Sequence, residues 1–151
     1  MRDMGRAAVY EVENMVARMM ERGGPVDFHG STLNLEPDMR FGQVADMQRY
    51  VDMAWPTVGV GPAPRIVQSR GRQRAYYATA SHTIHVPDRR VFRTRLLLLH
   101  EIAHAVVRVS GDRDPGHGEA WRKTYCWILE QCGMPEVSLL IRSGFDADAA
   151  A

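Results

Sequence analysis

The stretch Leu96-Leu97-Leu98-Leu99-His100-Glu101-Ile102-Ala103-His104-Ala105-Val106-Val107 decides how this chain is read. On an α-helix, residues four apart lie one turn above each other, so the imidazoles of His100 and His104 share a face and can reach one metal ion. Glu101 lies beside them, offset around the helix. Three polar groups amid leucines and valines are costly to bury unless they are hydrogen-bonded or coordinate something. The spacing therefore predicts a metal-binding helix.

Zinc held by such a pair lowers the pKa of a bound water, and a carboxylate in the Glu101 position can take that water's proton. This is the HExxH pattern of zinc hydrolases. A zinc site needs a third protein ligand, and catalysis needs the fourth position left to water. His117 is the leading candidate. It follows the polar, turn-forming loop Ser110-Gly111-Asp112-Arg113-Asp114-Pro115-Gly116 and opens a second helical pattern. Gly118 would let backbone approach closely, and Trp121, one turn on, would pack against the metal helix. Glu119 and Glu130 are rival ligands, since some zinc sites take a carboxylate from the following helix. Asp112 and Asp114 fit better as acceptors for ligand N–H groups or as helix caps.

The combination His100-Glu101-x-x-His104 with His117-Gly118-x-x-Trp121 resembles the HExxH…HGxx(F/W) signature of SprT-like and related small zinc metallopeptidases. Other stretches are similar to a family of metallohydrolases of actinobacteria and their phages: Met1-Arg2-Asp3, Gly30 to Leu33 through Phe41-Gly42, Val44 to Asp52, and Gly133 to Gly144. That likeness covers nearly the whole chain. It implies a zincin-like fold and the three-histidine ligand set, but no substrate. Glu119 stands where such motifs often have proline.

The chain has 151 residues, 19 basic against 18 acidic, and a formal charge of +1, the size of one ordinary domain and too balanced for a general polyanion binder. With 45% hydrophobic residues it can bury a core. No apolar run approaches a membrane span, and Met1-Arg2-Asp3 does not lead into a signal-peptide core, so the expectation is a cytoplasmic protein. Cys126 and Cys132, six apart on one helical pattern, point in different directions and are expected to be reduced thiols. Only Lys123 among the basic residues is lysine, a bias expected of a GC-rich genome.

In chain order, Val9, Val12, Val16 and Met19 predict an amphipathic helix from about Asp3 to Arg22. Thr32, Leu33 and Leu35 favour a strand. Val44, Met47, Val51 and Ala54 predict a helix that Trp55-Pro56 closes. Thr57 to Val60, Arg65 to Gln68, Arg74 to Thr79 and His82 to Val86 read as strands of a small sheet feeding the metal helix. In zincins an edge strand beside that helix takes an extended peptide, and the strand before Pro87 is the candidate here. His82 and His85 would face opposite sides of that strand. They, with Tyr76, Tyr77 and Tyr125, read as hydrogen-bonded or surface groups, with oxyanion stabilisation the sharper alternative. A helix from His117 to Gln131 stops at Gly133, and a short last helix follows Pro135. Past residue 145, the tail 146–151 is expected to fray.

Between Arg65 and Arg95 stand Arg65, Arg70, Arg72, Arg74, Arg89, Arg90, Arg93 and Arg95 against one acid, Asp88. A solvated surface is the plainer reading of that segment, and contact with nucleic acid the alternative. The combined expectation is a single α+β, zincin-like domain over residues 1–145: a small mixed sheet packed on an active-site helix with supporting helices. It would hold one Zn2+ on His100, His104 and His117. Glu101 would act as general base on a peptide or protein substrate; the motif encodes the activated water and not the acyl partner.

Overall fold

The structure, a computed structural model, describes residues 5–70, 74–112 and 116–150. Arg72 and Asp114, both singled out above, lie outside the described residues. The class is α+β, with five α-helices and two small sheets among the described residues. The chain divides into two compact units, Met1–Asp38 with Asp114–Ala151, and Met39–Arg113.

The first unit is built from both ends of the chain. Helix α1 (Arg6–Arg22) buries Val9, Val12, Val16 and Met20 at helical spacing, and Gly23, at φ 69°, ends it. Strands β1 (Gly24–Phe28) and β2 (Ser31–Leu35) pair antiparallel from Gly24↔Leu35 to Phe28↔Ser31. Their two-residue loop, His29-Gly30, has φ of 50° and 85°, the doubly positive signature of a turn whose twist suits a hairpin. Helices α4 (Glu119–Gln131) and α5 (Pro135–Ala150) pack on each other, and α5 also touches α1 and β2. At Gly144 a β-carbon would come within 2.6 Å of Val12, so the absence of a side chain there lets α5 lie close on α1.

The expected fraying past residue 145 is not what the fold shows: α5 continues to Ala150. Phe145 is buried, and Asp148 accepts from Arg122 Nη1 at 3.1 Å, so the last turns have partners that a local reading of an Asp-Ala tail does not reveal. Helix α4 stops through a Schellman arrangement in which Gly133 N–H donates to Glu130 O and Met134 N–H to Leu129 O, with Gly133 at φ 78°.

The second unit holds helix α2 (Val44–Val58), strands β3 (Arg65–Ser69), β4 (Tyr76–Ala78) and β5 (Thr83–Pro87), and helix α3 (Arg95–Val109). Pro56 does not close α2: the helix runs to Val58, so Thr57–Val58, read as strand, is its last turn, and Gly59-Val60 is in no strand. Burial of Trp55 and Val58 outweighs the one backbone hydrogen bond the proline removes. Trp55 Nε1 donates to Gly61 O at 2.9 Å, and a β-carbon at Gly59 would collide with the indole.

The sheet order is β3-β5-β4, with β3 parallel and β4 antiparallel to β5. The strand before Pro87 is therefore the central strand, paired along its length with β3 and over Thr83 to His85 with β4, and is not the edge expected to take a peptide. Its alternate partners explain its sequence: Ile84 and Val86 are fully buried. β4, which packs on α3, is one of the two edges. His82 is not in β5 but in the turn before it, at φ 52°. Its Nδ1 meets the Tyr77 hydroxyl at 2.7 Å and its Nε2 the Pro62 carbonyl at 2.8 Å, so the ring pins the turn.

Candidate metal centre

Helix α3 begins at a Thr94 cap whose hydroxyl accepts from Leu97 N–H at 3.4 Å, a long bond. It ends in a Schellman arrangement, Gly111 N–H to Arg108 O and Asp112 N–H to Val107 O, with Gly111 at φ 83°. Leu96, Leu98, Leu99, Ile102, Ala103, Ala105 and Val107 are buried, so the helix is apolar nearly all round. Within it His100 and Glu101 are 3% and 4% exposed, and His104 is half-buried. The His100 and His104 rings meet edge to face at 5.1 Å, as the four-residue spacing requires. The Glu101 carboxylate reaches round to 3.9 Å from His100 Nε2.

His117 precedes α4 by two residues and is 5% exposed. Its ring stands edge-on to Trp121 at 4.7 Å and 5.7 Å from Tyr10 of α1. Gly118 is the N-cap residue of α4. Trp121, fully buried, stacks on Tyr125 at 4.9 Å and lies 6.2 Å from Phe145.

One ligand atom from each of His100, His104 and His117 can be chosen so that all three lie within 4.8 Å of one another, and this trio could hold a metal ion. The donor set fits a borderline-soft divalent ion. Zinc takes imidazole nitrogens at about 2.0–2.1 Å in a tetrahedral array, so two ligands of one ion stand roughly 3.3 Å apart, and the rings would draw closer on binding it. Glu101 is not in the trio.

The rival ligands are engaged elsewhere. Glu119 is exposed and pairs with Lys123 at 2.8 Å, whose hydrogen bond holds its carboxyl below the usual range. Glu130 accepts from Arg142 at 2.9 Å and from Ser138 at 3.2 Å. The Tyr125 hydroxyl donates to Glu13 at 3.0 Å in a buried pair, and burial, then the Glu13 charge, pushes its pKa well above the ordinary value. His85 stacks flat on Tyr76 across the β4–β5 pair at 4.6 Å. Tyr77 is raised by burial, partly offset by Arg108.

Cys126 is buried and Cys132 partly buried. Burial pushes Cys126 up to about 11 from about 9, far from a thiolate ligand. The folded state thus holds this proton more tightly than the unfolded chain. Its contribution to stability is complete below pH 9 and is lost as pH rises through about 11. Urea unfolding at pH 8 to 10 should show stability falling with pH, and Cys126→Ala should flatten that fall; an unchanged slope in the variant would refute the assignment.

Of the arginine segment, Arg65, Arg70, Arg74, Arg89 and Arg90 are exposed. Arg93 is engaged, with Asp88 at 3.6 Å and the Phe41 carbonyl at 3.3 Å. Among the described residues no helix is long and apolar enough to cross a membrane.

Sequence reading missed Glu13, Tyr10 and Arg122 as neighbours of the His117 column. Glu13 could have been noticed: it falls four residues after Val9, on the buried stripe of α1. Comparison with family models, with curated proteins and with solved structures returns no match.

Proposed function

We propose that the chain is a zinc-dependent hydrolase, and that its reaction is cleavage of peptide bonds. The observation that carries this is the trio of His100, His104 and His117 atoms within 4.8 Å, two of them on one helix turn beside a buried glutamate. Three imidazoles with a position left for water are the ligand set of a catalytic site; structural zinc sites are closed by four ligands and rich in cysteine. Zinc bound there supplies Lewis-acid polarisation of a carbonyl and an acidified water. The chain's own part falls to Glu101. Burial keeps its carboxylate away from bulk solvent, and its place beside His100 lets it accept the proton of the attacking water and return it to the departing nitrogen. The fold in this reading is a minimal zincin-like one, as the SprT-like resemblance implies.

Elemental analysis of protein purified without added metal is expected to give about one zinc per chain, and cleavage of an unfolded protein such as casein should stop with a chelator and return with zinc. Absence of stoichiometric zinc even after loading and dialysis would overturn the reading. Full occupancy in His117→Ala would move the third ligand elsewhere.

A further inference from the structure

His117 is an awkward residue from which to hang a metal. It lies outside any helix, between Gly116, at φ 70°, and Gly118. Flanking glycines leave the backbone with the widest conformational choice, so ordering this residue costs more than ordering His100 or His104 within α3. Something in the fold has to hold it.

One guanidinium does so from several directions. Arg122 Nε donates to the His117 carbonyl at 3.0 Å. Its Nη1 donates to Asp148 Oδ2 at 3.1 Å, and its Cζ lies 5.1 Å from the centre of the Phe145 ring, both on the last turns of α5. The Arg122 side chain is only 17% exposed. Gly5, just before α1, closes on the same pair: a β-carbon there would be 2.9 Å from Arg122 Nη2 and 3.0 Å from the His117 carbonyl oxygen. The fork of an arginine can serve two acceptors in different directions at once, which a lysine ammonium on a flexible stem does less well.

We infer that Arg122, braced by Phe145 and Asp148 of α5, is the positioning residue that fixes the His117 backbone for metal binding. The inference rests on the reading of His117 as a ligand. It assigns the end of α5 a part in the affinity of a site formed by none of its own residues. Arg122 touches neither metal nor substrate; it acts by holding the ligand in place before the metal arrives, so that less ordering is charged to binding.

The test uses the full chain as apoprotein, with zinc affinity read by competition with a chromophoric chelator and the apoprotein's thermal midpoint read alongside. Arg122→Lys is expected to weaken zinc about tenfold, the lower edge of what partners behind metal-ligating histidines contribute. Asp148→Asn, at an exposed position, should shift affinity in the same direction by less, with the apoprotein midpoint within about 3 °C of wild type. A lowered midpoint with zinc affinity within about twofold of wild type would make Arg122 merely structural and overturn the inference. If Arg122→Lys does not fold, Asp148→Asn decides by the same two readings. His117→Ala separates the layers: if zinc affinity survives it, the ligand reading itself fails, and if zinc is lost there but unchanged in Arg122→Lys and Asp148→Asn, only the brace fails.

Discussion

Glu101→Gln should keep zinc and lose hydrolysis, by about 10²–10⁴-fold in kcat, the usual contribution of a positioned general base. The amide is isosteric with the carboxylate, so α3, in which residue 101 is 4% exposed, should be undisturbed. What changes is the ability to take a proton. The Glu101 oxygen lies 3.9 Å from His100 Nε2 and is not among the three groups that could hold a metal ion, so metal content should stay at the wild-type level. Loss of zinc along with activity would show that residue 101 is needed to form the site. Retained hydrolysis would remove Glu101 from the mechanism and, with it, the main reason to read HExxH as catalytic here.

Trp121→Ala should be the most damaging single change to the fold, lowering stability by about 3–5 kcal/mol, the range for truncating a buried aromatic side chain. The indole is wholly buried, with the His117, Tyr125 and Phe145 rings around it. A domain has about 5–15 kcal/mol in total, so the variant should unfold at markedly lower urea. A loss under about 1 kcal/mol would mean that the surroundings collapse into the cavity and that the ring column is not a rigid support. Trp121→Phe, which keeps an aromatic face towards His117, should recover much of the difference.

Features that depend on neighbours in sequence were legible, and those that depend on distant partners were not. Helix α3 and the His100–His104 pair follow from a four-residue spacing on an apolar run, and the stop at Gly133 follows from a backbone conformation that glycine adopts freely. Thr57 to Val60 misled because β-branched residues favour strands, while the burial that keeps Val58 helical is tertiary. Strand order was hidden for the same reason. β5 comes last in sequence yet lies between β3 and β4, and no local pattern says which strand is central. At the end of the chain, Phe145 and Asp148 find α4 only in the folded unit, so composition alone suggested an unstructured tail. His117 was visible as a histidine after a turn; the arginine that holds its carbonyl, five residues on, was not.

The unit made from both chain ends has a consequence for synthesis. Helix α1 and its hairpin emerge first, but their partners α4 and α5 follow only after residues 39–113. At about 5–20 residues per second, that intervening segment leaves the apolar stripe of Val9, Val12 and Val16 without its partners for roughly 4–15 s. The nascent chain therefore carries a sticky amphipathic helix while residues 39–113 are made, and this unit cannot fold from its N-terminal segment alone. His117 likewise follows His100 and His104 in the chain, so a three-histidine site cannot form until it too has emerged.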